Sequence, residues 1–264
     1  MKKSYILLIF AIFPLNFALA QPQIIAHRGH WNVEGSYENS ITALREAQKL
    51  QIYGSEFDVW MTCDGVLVIN HDGVIEGFKI EDTPYEKLKD IRLPNGERLP
   101  LLEDYLRQGK ECRKTKLILE LKSHSSKERE DSAVAAVIEM VEKIGLKEQT
   151  EYISFSLNIC KEFVRLSPNA AVAYLKGDLA PHELKALNVN GISYSLGILR
   201  KNLHWIEEAQ KIGMTVNVWT LYHEVDMLEM ITAKVNFITT DNPVLAKELV
   251  EKKKNNNSNN NINN

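Results

Sequence analysis

The sequence contains few cysteines. Its 264 residues include three, Cys63, Cys112 and Cys160, which lie far apart and form no C-x-x-C pair. This spacing excludes the usual zinc-binding patterns. An odd number leaves at least one thiol unpaired within the chain, and a domain of this size does not need disulfides for stability. We therefore expect three structural thiols.

The chain also lacks a strong excess of charge of either sign. Lysine and arginine number 32 against 35 aspartates and glutamates, which gives a formal net charge of −3. Proteins that bind nucleic acid usually present a strongly basic surface. The charge balance therefore predicts no nucleic-acid partner.

The apolar run at the N-terminus is too short and too interrupted to span a membrane well. Residues 1–20 read MKKSYILLIFAIFPLNFALA, with two lysines before the run and Ala18-Leu19-Ala20 at its end. This pattern is typical of a secretory signal peptide with an A-x-A cleavage site. The alternative is a membrane anchor, but Pro14 and Asn16 interrupt the run. We predict cleavage, export to the periplasm or the medium, and no stable membrane insertion afterwards.

The opposite end is poor in apolar residues. Residues 252–264 read KKKNNNSNNNINN, which cannot bury enough apolar area to order itself, and we predict a disordered tail. The remaining residues, 21–251, are close to the size of one α/β barrel, roughly 250 residues. We predict a single catalytic domain.

The body of the chain alternates β-rich runs with helical patterns. Apolar spacing predicts helices around Val134–Ile144 and Ile41–Ala47, the second with Ser40 as its N-cap. Two further apolar faces and nine strand candidates follow from the same patterns. The faces are Leu203, Ile206, Ala209 and Val225, Leu228, Ile231; the strands are Ile24–Ala26, Ser55–Met61, Val66–Asn70, Lys116–Leu121, Tyr152–Phe155, Ala171–Leu175, Gly191–Tyr194, Thr215–Trp219 and Phe237–Thr239.

Repeated strand–helix alternation predicts parallel strands with helical crossovers. At this length the chain can form a closed barrel or an open doubly wound sheet. No G-x-G-x-x-G turn follows the first strand, which weakens the dinucleotide-binding version of the open sheet. We therefore predict an α/β fold, a TIM (β/α)8 barrel.

Nine strand candidates exceed the eight places of such a barrel. Asp64-Gly65 lies between two apolar runs, and a two-residue turn cannot join parallel strands. Val66–Asn70 is therefore predicted to fold back antiparallel to the second strand. This arrangement returns His71 to the neighbourhood of Glu56 and Asp58.

Residues 73–100 form the longest stretch without a clear strand–helix unit. They are polar and turn-rich, with Pro84, Pro94, Gly96 and Pro100. We predict a short excursion at the barrel mouth, with one short helix near Pro84–Asp90.

Charged and imidazole side chains come at the ends of the predicted strands. In a parallel barrel the C-terminal strand ends share one face, where active sites lie. Side chains i and i+2 of a strand point to the same side, so Glu56 faces with Asp58, and Glu120 faces with Lys122. The strand-end residues are His27, Arg28, Glu56, Asp58, His71, Asp72, Glu120, Lys122, Trp219, Thr240 and Asp241.

The carboxylates predict a metal site. Two carboxylates aimed into one pocket raise each other's pKa unless a cation intervenes. Glu120 would be a third beside Glu56 and Asp58, and oxygen ligands favour Ca²⁺ or Mg²⁺. Arg28 and Lys122 add positive charge beside this metal, which is typical of a phosphate site.

Two histidines complete the predicted site for a phosphate diester. One of His27 and His71 would take a proton from the attacking oxygen, and the other would give one to the leaving oxygen. Structural interpretations stay open for other residues: Glu38-Asn39 could be the capping region of the first helix, and Trp219 could be barrel packing rather than a substrate wall. Two histidines are predicted to be surface loop residues, His30 and His124.

In this order the motifs resemble those of the glycerophosphodiester phosphodiesterase family, over nearly the whole mature chain. The block E-x-D…T-x-D-G…V…H-D is the most specific of them. The matching segments are AHRG (26–29), YENS (37–40), EFDVWMTCDGVLVINHD (56–72), LPLLEDYL (99–106), LELK (119–122), ISFS (153–156), VNVWT (216–220) and ITTDNP (238–243).

The resemblance implies a phospholipase C-like phosphodiesterase barrel. Such an enzyme hydrolyses glycerophosphodiesters to glycerol 3-phosphate and an alcohol, using a divalent metal. By motif match, the family implies His27 and His71 as the acid–base pair. It also implies Glu56, Asp58 and Glu120 as metal ligands and Arg28 and Lys122 as phosphate contacts. For Glu38 the family leaves two roles open, support of the metal or contact with the glycerol hydroxyls. We add Phe155 and Trp219 as predicted substrate-binding residues.

The sequence departs from the family in places. The family often has Pro where Tyr37 stands, Thr at Ser40 and Lys at Cys63, and the excursion lacks the usual Arg-Thr-Thr-like run. The alcohol of the substrate is therefore left open. Related barrels include phosphatidylinositol-specific phospholipases C and sphingomyelinases D, so a lysophospholipase D-like activity on lysolipids is an alternative. A non-catalytic barrel that binds phosphorylated polyols is another.

Overall fold

The structure, a computed structural model, describes the backbone of residues 21–262 and the side chains of residues 21–256. The predicted signal peptide, residues 1–20, lies outside the described residues. Within the described range, no helix combines the length and the apolar character that crossing a membrane requires.

Strands and helices alternate along the described chain. The first half contains β1 (Gln23–Ala26), α1 (Ile41–Lys49), β2 (Gly54–Met61), β3 (Leu67–Ile69), β4 (Val74–Ile75), β5 (Phe78–Lys79), two 3₁₀ turns (Ile80–Asp82 and Tyr85–Lys87), α2 (Leu102–Lys110), β6 (Lys116–Leu121) and α3 (Lys127–Ile144). The second half contains β7 (Thr150–Ser154), α4 (Leu157–Leu166), β8 (Val172–Tyr174), α5 (Pro181–Ala186), β9 (Gly191–Ser195), α6 (Leu196–Lys201), α7 (His204–Lys211), β10 (Thr215–Leu221), α8 (Glu224–Thr232), β11 (Phe237–Thr240) and α9 (Pro243–Ile262).

Eight of these strands are parallel and close into a barrel. In the sheet β2 neighbours β6, and β6 to β11 follow in chain order. The sheet closes because β1 pairs with β2 on one side and with β11 on the other. The predicted TIM (β/α)8 barrel is confirmed, and the C-terminal ends of its strands share one rim.

The predicted hairpin is present. β3 runs antiparallel to β2, with Val59 opposite Ile69 and Met61 opposite Leu67. Gly65 forms the turn at a φ of +85°, a backbone conformation that favours glycine. In the excursion that follows, β4 and β5 form a small antiparallel hairpin, and the 3₁₀ turn Tyr85–Lys87 occupies the region of the predicted short helix.

Alternation along β2 sorts its side chains between the core and the rim. Phe57 is fully buried and packs on Tyr105 of α2, with ring centroids 4.3 Å apart. Glu56 and Asp58 lie on the opposite face of the strand. The same alternation on β6 places Ile118, part of a small apolar cluster, on the face that carries Glu120.

The predicted N-cap of α1 is confirmed, whereas two of the three residues predicted for the apolar face of α8 are exposed. Ser40 caps α1 by accepting a hydrogen bond from the Ala43 N–H, and α3 ends at Gly145 with a φ of +79°. On α8, Val225 and Leu228 are 69% and 39% exposed. The buried residues of this helix are Met227, Met230 and Ile231. The prediction therefore holds for Ile231, and two flexible methionines are buried instead of Val225 and Leu228. On α7 the prediction holds for Ile206 and Ala209, whereas Leu203, just before the helix, is exposed.

The last helix overlaps the segment predicted to be a disordered tail. The backbone of α9 runs from Pro243 to Ile262, and the disorder of residues 252–264 stays a prediction. Ala246 and Leu249 are buried at its start.

The three cysteines are free thiols. Cys160 is buried and behaves as a small apolar core residue, and burial raises the pKa of its thiol to about 12. Cys112 is half-buried and Cys63 is exposed. The expectation of a structural thiol therefore suits Cys160 and does not suit Cys63.

Candidate active site

The strand ends surround one cavity at the C-terminal rim of the barrel. Its volume is about 210 Å³. Eight of the ten sequence-predicted site residues line it; Asp58 is buried beneath them, and Glu38 lines an adjoining cavity of about 240 Å³ that shares His71. The eight are His27, Arg28, Glu56, His71, Glu120, Lys122, Phe155 and Trp219.

Three carboxylates meet beneath this cavity. Glu56, Asp58 and Glu120 each place one oxygen within 4.8 Å of the others, and all three are buried. The register of β2 with β6 sets Asp58 directly beside Glu120. Glu56 Oε2 accepts a hydrogen bond of 2.8 Å from the Arg28 backbone N–H. Its buried Oε1 has no hydrogen-bond partner among the residues that the structure describes.

The charges of the three carboxylates are incompletely compensated. Burial, with Asp58 and Glu120 close by, raises the pKa of Glu56 well above its usual range. Burial and Asp58 raise the pKa of Glu120 to about 7. The pKa of Asp58 is lowered despite its burial, because Lys122 and Asn39 stabilise the ionised form. A hard divalent cation would give the buried Glu56 oxygen a partner and would offset the repulsion between the carboxylates. These residues therefore fit Ca²⁺ or Mg²⁺.

The ammonium group of Lys122 forms ion pairs with two of the three carboxylates. Its Nζ lies 2.7 Å from Asp58 Oδ1 and 2.8 Å from Glu120 Oε1. Burial alone would lower the pKa of this ammonium, but Asp58 and Glu120 raise it above its usual range. Lys122 is therefore charged at neutral pH and also lines the cavity.

Arg28 sits in a strained backbone conformation at the rim. Its φ is +53°, a region that non-glycine residues enter at a cost of about 1–3 kcal/mol. The Asn39 N–H donates to the Arg28 carbonyl at 3.0 Å and holds it there. The guanidinium pairs with Glu38, and its Nε lies 3.7 Å from Asp58 Oδ2. Glu38 thus contacts Arg28 rather than the carboxylate cluster.

Asn39 contacts the carboxylate cluster, although the sequence interpretation considered it only as part of a helix-capping region. Its Nδ2 donates to Asp58 Oδ2 at 2.8 Å, and its Oδ1 accepts from the Asp58 N–H at 3.1 Å. The capping interpretation of Glu38-Asn39 is wrong, because Ser40 caps α1 and Asn39 has a φ of +62°. An amide fixed on both sides of a buried carboxylate holds that carboxylate in one orientation.

His27 is anchored at the end of β1. Its backbone N–H donates to the Thr240 carbonyl at 3.0 Å. Its Nδ1 lies 2.7 Å from Asp241 Oδ1, and Trp31 Nε1 donates to the same oxygen at 3.3 Å. The other ring nitrogen, Nε2, lies 4.0 Å from Glu56 Oε2. The sequence placed Asp241 at a strand end but did not assign it a role.

His71 stands at the end of the hairpin arm, as predicted. Its side chain is 40% exposed, and its Nδ1 lies 2.8 Å from Oδ1 of the exposed Asp72. Trp60 Nε1 donates to the His71 carbonyl at 3.3 Å and ties the arm to β2. Burial and the charge of Lys122 lower the pKa of the His71 imidazole. These effects favour the neutral imidazole, which can accept a proton.

Aromatic and small polar side chains complete the cavity. Phe155 and Trp219 meet edge to face, with ring centroids 5.6 Å apart. Trp219 donates its Nε1–H to the Ser193 carbonyl at 2.7 Å, so it both packs in the barrel and forms a cavity wall. Asn217 Nδ2 donates to Ser193 Oγ at 2.8 Å and to Thr239 Oγ1 at 2.9 Å. The sequence interpretation missed this polar floor, because single polar residues inside strands carry no local signal.

The expectation that His124 is a surface loop residue is wrong. The ring is half-buried beside Trp60, and its Nε2 accepts a hydrogen bond of 3.1 Å from the Met61 N–H. Its Nδ1 lies 2.8 Å from the Lys122 carbonyl, so it donates there. His124 therefore joins the ends of β2 and β6. His30 is likewise half-buried rather than fully at the surface.

Comparison with known proteins agrees with this geometry. A model of the Glycerophosphoryl diester phosphodiesterase family matches residues 27–245. The crystal structure of a glycerophosphodiester phosphodiesterase from Parabacteroides distasonis is 44% identical, with a TM-score of 0.88 over 89% of this chain and 98% of that one.

Two more distant proteins are similar over comparable lengths. A glycerophosphodiester phosphodiesterase of Caldanaerobacter subterraneus subsp. tengcongensis is 27% identical over 87% of this chain and 98% of its own. An Oleispira antarctica phosphodiesterase, solved in complex with the product sn-glycerol-3-phosphate, shares the fold with a TM-score of 0.77 at 21% identity, over 88% of this chain and 97% of that one. The match of the family model over most of the barrel, together with the 44% identical structure, shows that the chain belongs to the glycerophosphoryl diester phosphodiesterase family.

Proposed function

We propose that this protein hydrolyses glycerophosphodiesters to sn-glycerol 3-phosphate and an alcohol. One observation carries the proposal: His27 and His71 line the same cavity as Arg28, Lys122 and two members of the carboxylate cluster. The cavity thus combines two proton-transfer groups with the positive charge that a phosphate diester requires. The sn-glycerol-3-phosphate complex of the Oleispira antarctica relative supports the same product class.

The two histidines would act as the acid and the base. One would accept the proton of the attacking oxygen, and the other would donate a proton to the departing alcohol oxygen, which contributes about 10²- to 10⁴-fold to the rate. Arg28 and Lys122 would bind the phosphate oxygens and hold the diester in line with both rings. Trp219 and Phe155 would form the apolar wall of the substrate site.

Glu56, Asp58 and Glu120 would hold the divalent cation, Ca²⁺ or Mg²⁺. When bound, such a cation neutralises phosphate charge and lowers the pKa of a hydroxyl or water at its surface. Asn39 would keep Asp58 turned towards the cluster through its two hydrogen bonds.

A second candidate is a lysophospholipase D-like or sphingomyelinase D-like activity on lysolipids. The observation that favours it is the apolar mouth of the cavity, where Phe155 is 39% and Tyr222 56% exposed. An acyl chain could lie across these rings. A non-catalytic phosphopolyol-binding barrel is disfavoured, because a binder does not need two imidazoles in its cavity.

The test is a substrate panel with Ca²⁺ and with Mg²⁺. It contains glycerophosphocholine, glycerophosphoethanolamine, glycerophosphoglycerol, glycerophosphoinositol and lysophosphatidylcholine. The products measured are glycerol 3-phosphate, lysophosphatidic acid and cyclic phosphates. We expect turnover of one or more glycerophosphodiesters. Release of lysophosphatidic acid alone would favour the lysolipid enzyme, and tight binding without product would favour the binding barrel. A cyclic phosphate product would indicate intramolecular attack.

Variants of the two histidines test their roles. His27→Ala and His71→Ala should each lower turnover by about 10²- to 10⁴-fold. His182→Ala is the matched control, since His182 is exposed on α5 and pairs with Glu208 away from the cavity. Turnover within a few-fold of wild type in either rim variant would contradict the assignment.

We also propose that residues 1–20 are removed on export to the periplasm or the medium. The support is the charged start, the apolar run and the A-x-A end of this segment. Expression in a host with an export pathway should yield a mature chain that begins at Gln21. N-terminal sequencing measures this directly, and retention of Met1 on a membrane-bound protein would support an anchor instead.

A further inference from the structure

His27 and Asp241 are brought together by the closure of the barrel. They follow β1 and β11, whose last paired residues are Ala26 and Thr240. The two positions are 214 residues apart in sequence, yet Nδ1 of the imidazole lies 2.7 Å from Oδ1 of the carboxylate.

This contact fixes where the proton of the neutral imidazole lies. An ionised carboxylate is only an acceptor, so the hydrogen of the ring must be on Nδ1. Nε2 is then the nitrogen with a free lone pair, and His27 lines the cavity on the side of Glu56.

Neighbouring groups hold Asp241 in place. Trp31 Nε1 donates to the same carboxylate oxygen at 3.3 Å, and the side chain of Asp241 is 20% exposed. Just before it, Thr240 Oγ1 donates to the Leu221 carbonyl at 2.6 Å and accepts from the Asn242 N–H at 2.9 Å. The carboxylate is therefore oriented by the barrel and shielded by an indole.

The second histidine has no equivalent support. Asp72, which contacts His71, is the next residue in the chain, and its side chain is 78% exposed. A contact between adjacent exposed residues competes with water and restrains a ring weakly.

We propose that Asp241 is a positioning residue for His27: it accepts the Nδ1–H hydrogen bond, fixes that tautomer, and so directs Nε2 at the substrate. The proposal rests on the proposed proton-transfer role of His27. Asp241 does not line the substrate cavity, so it would act only through the imidazole of His27.

Asp241→Asn tests the proposal by kinetics. The amide keeps the shape of the side chain but removes its charge and can donate to Nδ1, which favours the wrong tautomer. We expect kcat to fall by about 10²- to 10⁴-fold with KM changed by less than about threefold, as loss of an orienting carboxylate does in other enzymes. Asp241→Glu should recover part of the loss, because it restores an acceptor-only group.

A matched control separates positioning from folding. Asp226 on α8 pairs with Arg200, and its side chain is 16% exposed, close to that of Asp241. Asp226→Asn should keep kcat and KM while losing a comparable ion pair. A kcat of Asp241→Asn within threefold of wild type would overturn the proposal.

Nitrogen NMR of the His27 ring tests the tautomer without using activity. In the wild-type protein with a neutral imidazole, the proton should lie on Nδ1; in Asp241→Asn, the ring should populate both tautomers. A wild-type ring protonated on Nε2 would refute the proposal even if the variant failed to fold. If the wild type turns over no glycerophosphodiester, the proposed function fails, whereas the tautomer measurement still decides the role of Asp241.

Discussion

The two ends of the barrel differ in how their buried carboxylates are paired with hydrogen-bond donors and cations. At the base, the Tyr53 hydroxyl donates to Glu151, Lys116 lies 4.0 Å from the same carboxylate, and the Tyr53 ring packs on Phe237. At the rim, three carboxylates face one another, and a buried oxygen of Glu56 lacks a partner among the described residues.

The difference shows which end is built for binding. At the base, the Glu151 carboxylate already accepts a hydrogen bond from Tyr53, so it does not need a bound cation. The rim retains repulsion that lowers the stability of the folded protein, and it also holds Arg28 and Asn39 at positive φ. Such strain and uncompensated charge persist where function requires them.

The sharpest test of this comparison makes the same change at both ends. Glu56→Gln removes a charge from the proposed metal site, and we expect kcat/KM on a glycerophosphodiester to fall by at least about 10²-fold. Glu151→Gln makes the identical change at the base and should leave kcat/KM within about twofold of wild type. Equal effects of the two variants would remove the distinction between the ends.

A smaller effect is expected from the amide that supports Asp58. Asn39→Ala leaves the three carboxylates but frees Asp58 to turn, and loss of such support typically lowers metal affinity by about 10- to 100-fold. Calorimetric titration with Ca²⁺ or Mg²⁺ measures the change. Asn190 near the base is the control, since its amide likewise makes two contacts, to the Val172 N–H and the Ala170 carbonyl. Asn190→Ala should lower thermal stability and leave metal affinity unchanged.

Metal affinity should depend on pH through Glu120. The folded-state pKa of this carboxyl is raised to about 7, above its usual value, so the metal-free protein carries a proton there in mildly acidic solution. A cation must displace that proton. Affinity should therefore rise as pH increases from 5.5 to 7.5, by up to about tenfold per pH unit for each proton displaced.

The sign of the accompanying stability change is fixed by the same pKa. The native state binds the proton more tightly than the unfolded state, so the metal-free protein should lose stability as pH rises from the unfolded pKa towards 7. Titrations in buffers of different ionisation enthalpy measure the proton release. A pH-independent affinity with no released proton would contradict the raised pKa.

The smallest expected effect lies away from both ends. Gly145 ends α3 at a φ of +79° with open space around it, so Gly145→Ala strains only the backbone. We expect a loss of about 1 kcal/mol in the free energy of unfolding, with unchanged turnover. Chemical denaturation measures the first quantity. A loss of turnover at unchanged stability would indicate that function is not confined to the rim.

Sequence patterns predicted the parts of this molecule that local rules govern. The Asp64-Gly65 turn identified the antiparallel arm that carries His71, and period-two alternation placed Glu56 with Asp58 and Glu120 with Lys122. These predictions need only strand geometry and the shared rim of a parallel barrel.

Predictions failed where tertiary packing decides. Asn39 was not recognised because its two hydrogen bonds reach β2, and a local pattern cannot show that contact. His124 was assigned to the surface because no local sequence pattern indicates the hydrogen bond that its ring accepts from the Met61 N–H. On α8, Met227 and Met230 are buried while Val225 and Leu228 are exposed, and apolar spacing alone does not distinguish these two pairs.

The central claim is that the rim carboxylates bind a divalent cation on which phosphodiester hydrolysis depends. The most direct measurement is the release of glycerol 3-phosphate by the wild-type protein before chelation, after exhaustive treatment with EDTA, and after addition of Ca²⁺ or Mg²⁺. The account predicts loss of turnover on chelation and its return with one of these ions. Full turnover of the chelated protein would contradict it.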